Sequence, residues 1–162
     1  MKRVVSALFC LSLAAAVMAA GKANFTGTWA MDKSRSEGVP PDMEQTMTVT
    51  QNGDTINQET KVITDQGDQS IATTYVLDGK ETEYPVKRQI GDGKGKRTAK
   101  WTADGNGFEV TEEESVDTQN GPVTLKFMRR WVMAADGSTL IIELDVDSPN
   151  GKQHTKRTFV KK

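Results

Sequence analysis

Arg88, Arg129 and Arg157 form the chemically most suggestive pattern in the chain. Each stands at every-second-residue spacing from apolar or aromatic neighbours: Arg88 with Tyr84, Val86 and Ile90, Arg129 between Phe127 and Trp131, and Arg157 beside Phe159. If these stretches are β-strands, that period places each guanidinium on the same face as its apolar neighbours. An unpaired ion in an apolar interior costs several kcal/mol, so each arginine needs acceptors or an aromatic face. Either the protein supplies those partners or the anionic group of a ligand does. A bulge, or a long side chain reaching for water, would instead turn an arginine outward.

Other chemistry is scarce. Cys10 is the single cysteine and His154 the single histidine. One imidazole without thiolates makes no typical zinc site and gives no base for a serine nucleophile, so no catalytic residue, metal site or cofactor is expected and the chain does not read as an enzyme. Gly91 to Arg97, GDGKGKR, lacks the spacing and the following helix of a phosphate-binding loop and reads as a basic hairpin loop. Glu112 to Glu114 with Asp117 form an acidic run, but alternation throws neighbours to opposite faces, which argues against a calcium site, and the run reads as a solvated strand end.

The first twenty residues read as a secretory signal peptide. Lys2 and Arg3 precede an apolar run from Val4 to Val17, with small residues behind it and cleavage after Ala19 or Ala20. The run is shorter than the ~20 residues of a membrane span. Phe9 stands where a lipoprotein site would want a small residue before Cys10. Residues 21–162 are then a single exported domain, periplasmic or secreted, without cysteine and therefore without disulfides. Its formal charge falls from −1 to −3 when Lys2 and Arg3 are removed, a mixed surface that calls for no nucleic-acid partner.

The elements that must position the arginines are strands. Asn-Gly or Asp-Gly recurs at 52, 78, 92, 104, 106, 120, 136 and 150, and such pairs accept the positive φ of tight hairpin turns. Between them run β-branched and aromatic stretches of period two, which predict about ten strands: 25–31, 44–51, 55–62, 71–77, 82–90, 97–103, 108–115, 123–133, 139–146 and 152–160. No helical pattern is long enough for a crossover, so neighbours should pair antiparallel. A sheet of this size commonly closes, which removes its edges. The expected fold is all-β: a single up-and-down barrel of about eight to ten strands behind a signal peptide. Alternation gives its inner faces as Phe25, Gly27, Trp29 and Met31; Met47 and Val49; Ile71, Tyr75 and Leu77; Ala99 and Trp101; Val123, Leu125, Phe127, Trp131 and Met133; and Leu140, Ile142, Leu144 and Val146.

Gly27-x-Trp29 on the first strand, a meander behind it and an arginine on the last strand resemble the calycin superfamily of lipocalins and lipid-binding proteins. The resemblance implies that Gly27 and Trp29 close one end of the barrel and that Arg157, brought alongside by the last strand, lies across the Trp29 indole. The fatty-acid-binding branch is similar in more detail, with Phe25-Thr26-Gly27-Thr28-Trp29 at the start and Arg157-Thr158-Phe159 at the end. It implies instead that Arg157 and Arg129 hold a ligand carboxylate through forked, charge-assisted bonds. Phe159 stands where that branch has a tyrosine, and the link from Asp32 to Met43 is too short for that branch's helical lid.

Two functions are consistent with these residues. One is an exported lipocalin-like protein that binds a small apolar molecule, lipid-like or fatty-acid-like and able to carry an acidic head. Its site would draw on Arg88, Arg129, Arg157, Tyr75, Tyr84, Trp101, Phe127 and Trp131. The other is a barrel filled by its own side chains, acting at the cell envelope as an interaction or structural protein.

Overall fold

Every expected strand is present, most of them longer than the alternation suggested. The computed structural model describes residues 21–162, and the expected signal peptide at 1–20 lies outside them. The strands are β1 (Gly27–Glu37), β2 (Glu44–Asn52), β3 (Thr55–Thr64), β4 (Gly67–Val76), β5 (Asp78–Arg88), β6 (Gly91–Trp101), β7 (Gly107–Thr118), β8 (Gly121–Met133), β9 (Thr139–Ser148) and β10 (Gly151–Lys161). They form one antiparallel sheet in the order β4-β3-β2-β1-β10-β9-β8-β7-β6-β5. The first and last strands pair directly, with Trp29 opposite Lys161 and Met31 opposite Phe159. The result is an up-and-down barrel interrupted once, between β4 and β5.

The turns follow the glycines only in part. Asp92-Gly93 lies inside β6, not at a turn, and the β5–β6 reversal uses Gln89 and Ile90 instead. The whole run 91–97 is therefore strand and not loop. Its glycines have a packing cause: a Cβ on Gly93 would meet the Ser115 carbonyl oxygen at 1.9 Å, and one on Gly91 would meet the Asp117 carbonyl oxygen at 1.8 Å. Strands β6 and β7 approach too closely here for side chains. Ile90, expected inward, stands in the turn and is half exposed.

The strands distribute their inner residues unevenly along the barrel. At the end where β1 begins, Phe25, Trp29, Ile56, Phe108, Leu140 and Phe159 are fully buried. Phe108 stacks on Trp131 at 4.9 Å and meets Phe25 edge-on at 5.1 Å. Such pairs contribute about 0.5–1.5 kcal/mol each beyond their burial. The loops of this end are tied together: Ala23 donates to the Gly105 carbonyl at 2.8 Å, Lys161 to Ser138 at 2.9 Å and Leu77 to Asp54 at 2.8 Å. Towards the opposite end, Val62, Val123, Leu125, Val146 and Thr155 share the inner face yet are only partly buried. Ile71 shares the inner parity of Tyr75 but is half exposed, because β4 is an edge strand with nothing paired beyond it. One end is thus packed solid and the other is open to solvent.

Candidate functional site

Between the solid and the open halves lies a layer of charge. It is built by cross-strand register. Arg97 on β6 stands opposite Glu112 on β7, and Glu112 stands opposite Phe127 on β8. Val110 opposes Arg129, which in turn opposes Leu144 on β9, and Arg157 on β10 opposes Ile142. Inner side chains of five neighbouring strands are therefore delivered to one level.

Glu112 is 3% exposed and is held on both sides: Arg97 Nε donates to its Oε1 at 2.6 Å, and Arg129 pairs with its Oε2. Glu114, two residues on and 4% exposed, accepts from Arg88 through Nε at 2.9 Å and Nη2 at 2.7 Å, and from the Tyr84 hydroxyl at 3.0 Å. Burial, and then the Glu114 charge, push the Tyr84 phenol up to about 12. The Arg88 and Arg129 guanidiniums both lie over the Phe127 ring, at 5.2 and 5.4 Å. The expectation that Glu112 and Glu114 belong to a solvated strand end is overturned, because alternation sends both inward, where arginines compensate them; Glu113, between them, faces out and pairs with Lys126 at 3.2 Å.

Arg97 was not among the expected site residues, and its place explains how the barrel tolerates its gap. Its guanidinium lies 5.0 Å from the Tyr75 ring of β4 and 4.5 Å from the Tyr84 ring of β5, and Nη1 donates to the Thr74 carbonyl at 3.3 Å. A cation therefore joins two strands that share no hydrogen bonds. The signal was available in the hairpin register: four residues back from Trp101 and four forward from Phe108 give Arg97 opposite Glu112.

Arg157 differs from the other three arginines. Among the described residues its one side-chain hydrogen bond runs from Nη1 to the Gln45 amide oxygen at 3.0 Å, and its buried Nε has no partner. It borders a cavity of about 60 Å³ together with Gln45, Gln58, Tyr75, Arg129 and Trp131. The buried Trp131 Nε1 and Gln58 Oε1 are likewise unpartnered. Burial, reinforced by the neighbouring Arg129 charge, lowers the Arg157 guanidinium from its ordinary value. The layer as a whole sets four guanidiniums, Arg88, Arg97, Arg129 and Arg157, against two carboxylates, Glu112 and Glu114.

The residues expected to close the barrel divide differently. Trp29 is fully buried and donates its indole N–H to the Phe25 carbonyl at 2.9 Å. The cation over its ring is Lys161, at 5.4 Å, and not Arg157, which faces Gln45 one layer higher. Register explains the exchange, since Trp29 pairs with Lys161, four residues beyond Arg157. Gly27 is required for its φ of 151° more than for close packing, because a Cβ there would meet only the flexible Lys161 side chain. Trp101, expected in the pocket, lies at the solid end instead, where its N–H is donated to Asp54 at 2.9 Å and Lys22 sits 5.0 Å from its ring. Tyr75, Arg129, Trp131 and Arg157 are brought together at the cavity, while Tyr84, Arg88 and Phe127 belong to the adjoining Glu114 cluster.

Among the described residues no cluster of three or more His, Cys, Asp or Glu side chains is placed to hold a metal ion, and no helix is long and apolar enough to cross a membrane.

No family model matches the chain, and no curated protein matches it by sequence. Solved structures do. The zebrafish ileal bile acid-binding protein, complexed with cholic acid, superposes with a TM-score of 0.50 at 15% identity, covering 85% of this chain and 98% of that one. A secretory abundant heat soluble protein from Ramazzottius varieornatus gives 0.53 at 15% identity over 88% and 98% of the two chains. Secretory abundant heat soluble protein 4 from the same organism gives 0.52 at 12% identity over 88% and 97%. The fold is calycin-like. At these identities the likeness of this calycin-like barrel to those structures concerns the strands and not the side chains within it.

Proposed function

We propose that this protein is an exported calycin-like barrel that binds a small amphipathic acid, its head group at Arg157 and its apolar part in the open half. The observation that carries the reading is the uncompensated Arg157: it lines one cavity together with Trp131, and among the described residues its Nε and the Trp131 N–H are buried donors without acceptors. A buried donor left unpaired costs about 1–3 kcal/mol, and more where the group is charged. An oxyanion supplies the missing acceptors through charge-assisted bonds. A volume near 60 Å³ suits a head group or a few waters and is too small for an alkyl chain. The chain of the ligand would therefore extend past Leu125, Val123 and Val146, each methylene contributing about 0.8 kcal/mol. The ligand named with the zebrafish protein, cholic acid, is an acid of this general kind. Export rests on the leader-like residues 1–20 and agrees with the secretory naming of two structural neighbours.

Calorimetric titration with laurate and with methyl laurate tests the reading. Laurate should bind at least tenfold more tightly than the ester, and Arg157→Gln should remove most of that difference. Equal affinities for acid and ester, unchanged in Arg157→Gln, would contradict it. A second reading, a filled barrel acting as an envelope interaction protein, draws support from the aromatic packing of the closed end. It predicts no saturable binding of either probe.

A further inference from the structure

Glu112 lies between Arg97 and Arg129 and pairs with both. It is the least exposed charged group of the layer, and both of its oxygens are engaged by guanidiniums. The neighbouring inner positions of β7 are Val110 and Val116 on one side and the other of the Glu112–Glu114 pair, and all four are buried.

We propose that Glu112 is a built-in occupant of the anion seat, a selectivity-determining residue that keeps Arg129 engaged, so that an entering acid is received by Arg157 and the Trp131 indole alone. The inference rests on the ligand-binding reading above and deepens it. An acid beside Arg129 meets not a free cation but one already paired, so Arg129 adds little attraction. The fixed Glu112 carboxylate also repels the ligand's own, which penalises head groups of higher negative charge. Removing the Glu112 charge should convert Arg129 from a bystander into a second ligand contact.

The test is a double-mutant cycle on laurate affinity, measured by calorimetry with methyl laurate as the neutral reference. In the wild-type protein Arg129→Gln should change laurate affinity less than threefold, while Arg157→Gln weakens it at least tenfold. Glu112→Gln should tighten laurate at least fivefold and leave methyl laurate unchanged. In the Glu112→Gln background Arg129→Gln should cost at least tenfold. A purely structural Glu112 would shift acid and ester alike and show no such coupling. The proposal is overturned if Arg129→Gln costs the same in both backgrounds, or if Glu112→Gln weakens laurate. Should Glu112→Gln not fold, the comparison of Arg129→Gln with Arg157→Gln still decides, since a larger loss from Arg129 contradicts the assignment. Absence of laurate binding in both wild-type and Glu112→Gln proteins would overturn the ligand-binding reading itself. Additive effects on a ligand that does bind would overturn the role of Glu112 only.

Discussion

Tyr84 shows how a single buried group reports on the charge layer. Its phenol sits against the Glu114 carboxylate, and burial together with that charge raises it to about 12, from 10.0 in an unstructured chain. The folded state thus keeps its proton where the unfolded chain loses it, so the contribution is complete below pH 10 and declines as pH rises towards 12. Urea midpoints of the wild-type and Tyr84→Phe proteins, followed between about pH 9 and 12, should show the wild-type losing stability relative to the variant across that window. A constant difference would mean that burial and the Glu114 charge do not hold the proton on the folded phenol. At this scale the sequence was legible for parity and not for pairing. Alternation alone put Arg88, Arg129 and Arg157 inward. The partners of Arg88 and Arg129 stayed hidden because Glu112 and Glu114 sit in a run of three glutamates, and a run looks solvated until the strand's register shows that two of the three face in.

The elements were easier to foresee than their ends. Period-two alternation located all ten strands, but β1 runs on to Glu37 through an irregular pairing with β10 that no local pattern announces. Strand β6 is the instructive failure: three glycines in five residues resemble a loop, whereas here they allow β7 to press against the strand. Gly95 leaves room for the Tyr84 ring, whose atoms would lie 2.4 Å from a Cβ, and Gly93 leaves room for the Ser115 carbonyl. The second obstacle is backbone and cannot rotate away. Gly93→Val should therefore destabilise the barrel by at least the ~1–3 kcal/mol typical of overpacking, read as a fall in the urea midpoint. An unchanged midpoint would show that β6 and β7 can separate without loss. Asp92-Gly93, read as a turn from its residue types, loses that role because Gln89 and Ile90 have already reversed the chain.

As a whole the molecule is a barrel with a solid floor, a charged middle and an open top. The pairing of β1 with β10 brings residues more than a hundred positions apart into register, and the Arg157–Gln45 and Thr158–Ser36 bonds depend on it. The one break in the ring, between β4 and β5, is spanned by Arg97 between two tyrosines, so the same layer that carries the excess charge also holds the sheet together. That double duty explains why four guanidiniums occur inside a barrel with only two carboxylates to meet them: three are committed to structure, and Arg157 is left over. In the proposed function that remaining cation meets a ligand's anion, a contact open to direct measurement. Its most direct test is the carbon NMR signal of laurate labelled at the carboxyl carbon, followed through acid titration in the presence of the protein. Bound laurate should give a distinct signal that stays at its ionised position well below the ordinary carboxyl pKa of about 4.3, because Arg157 favours the charged form. A bound signal that titrates like the free acid, or no bound signal at all, would contradict the account.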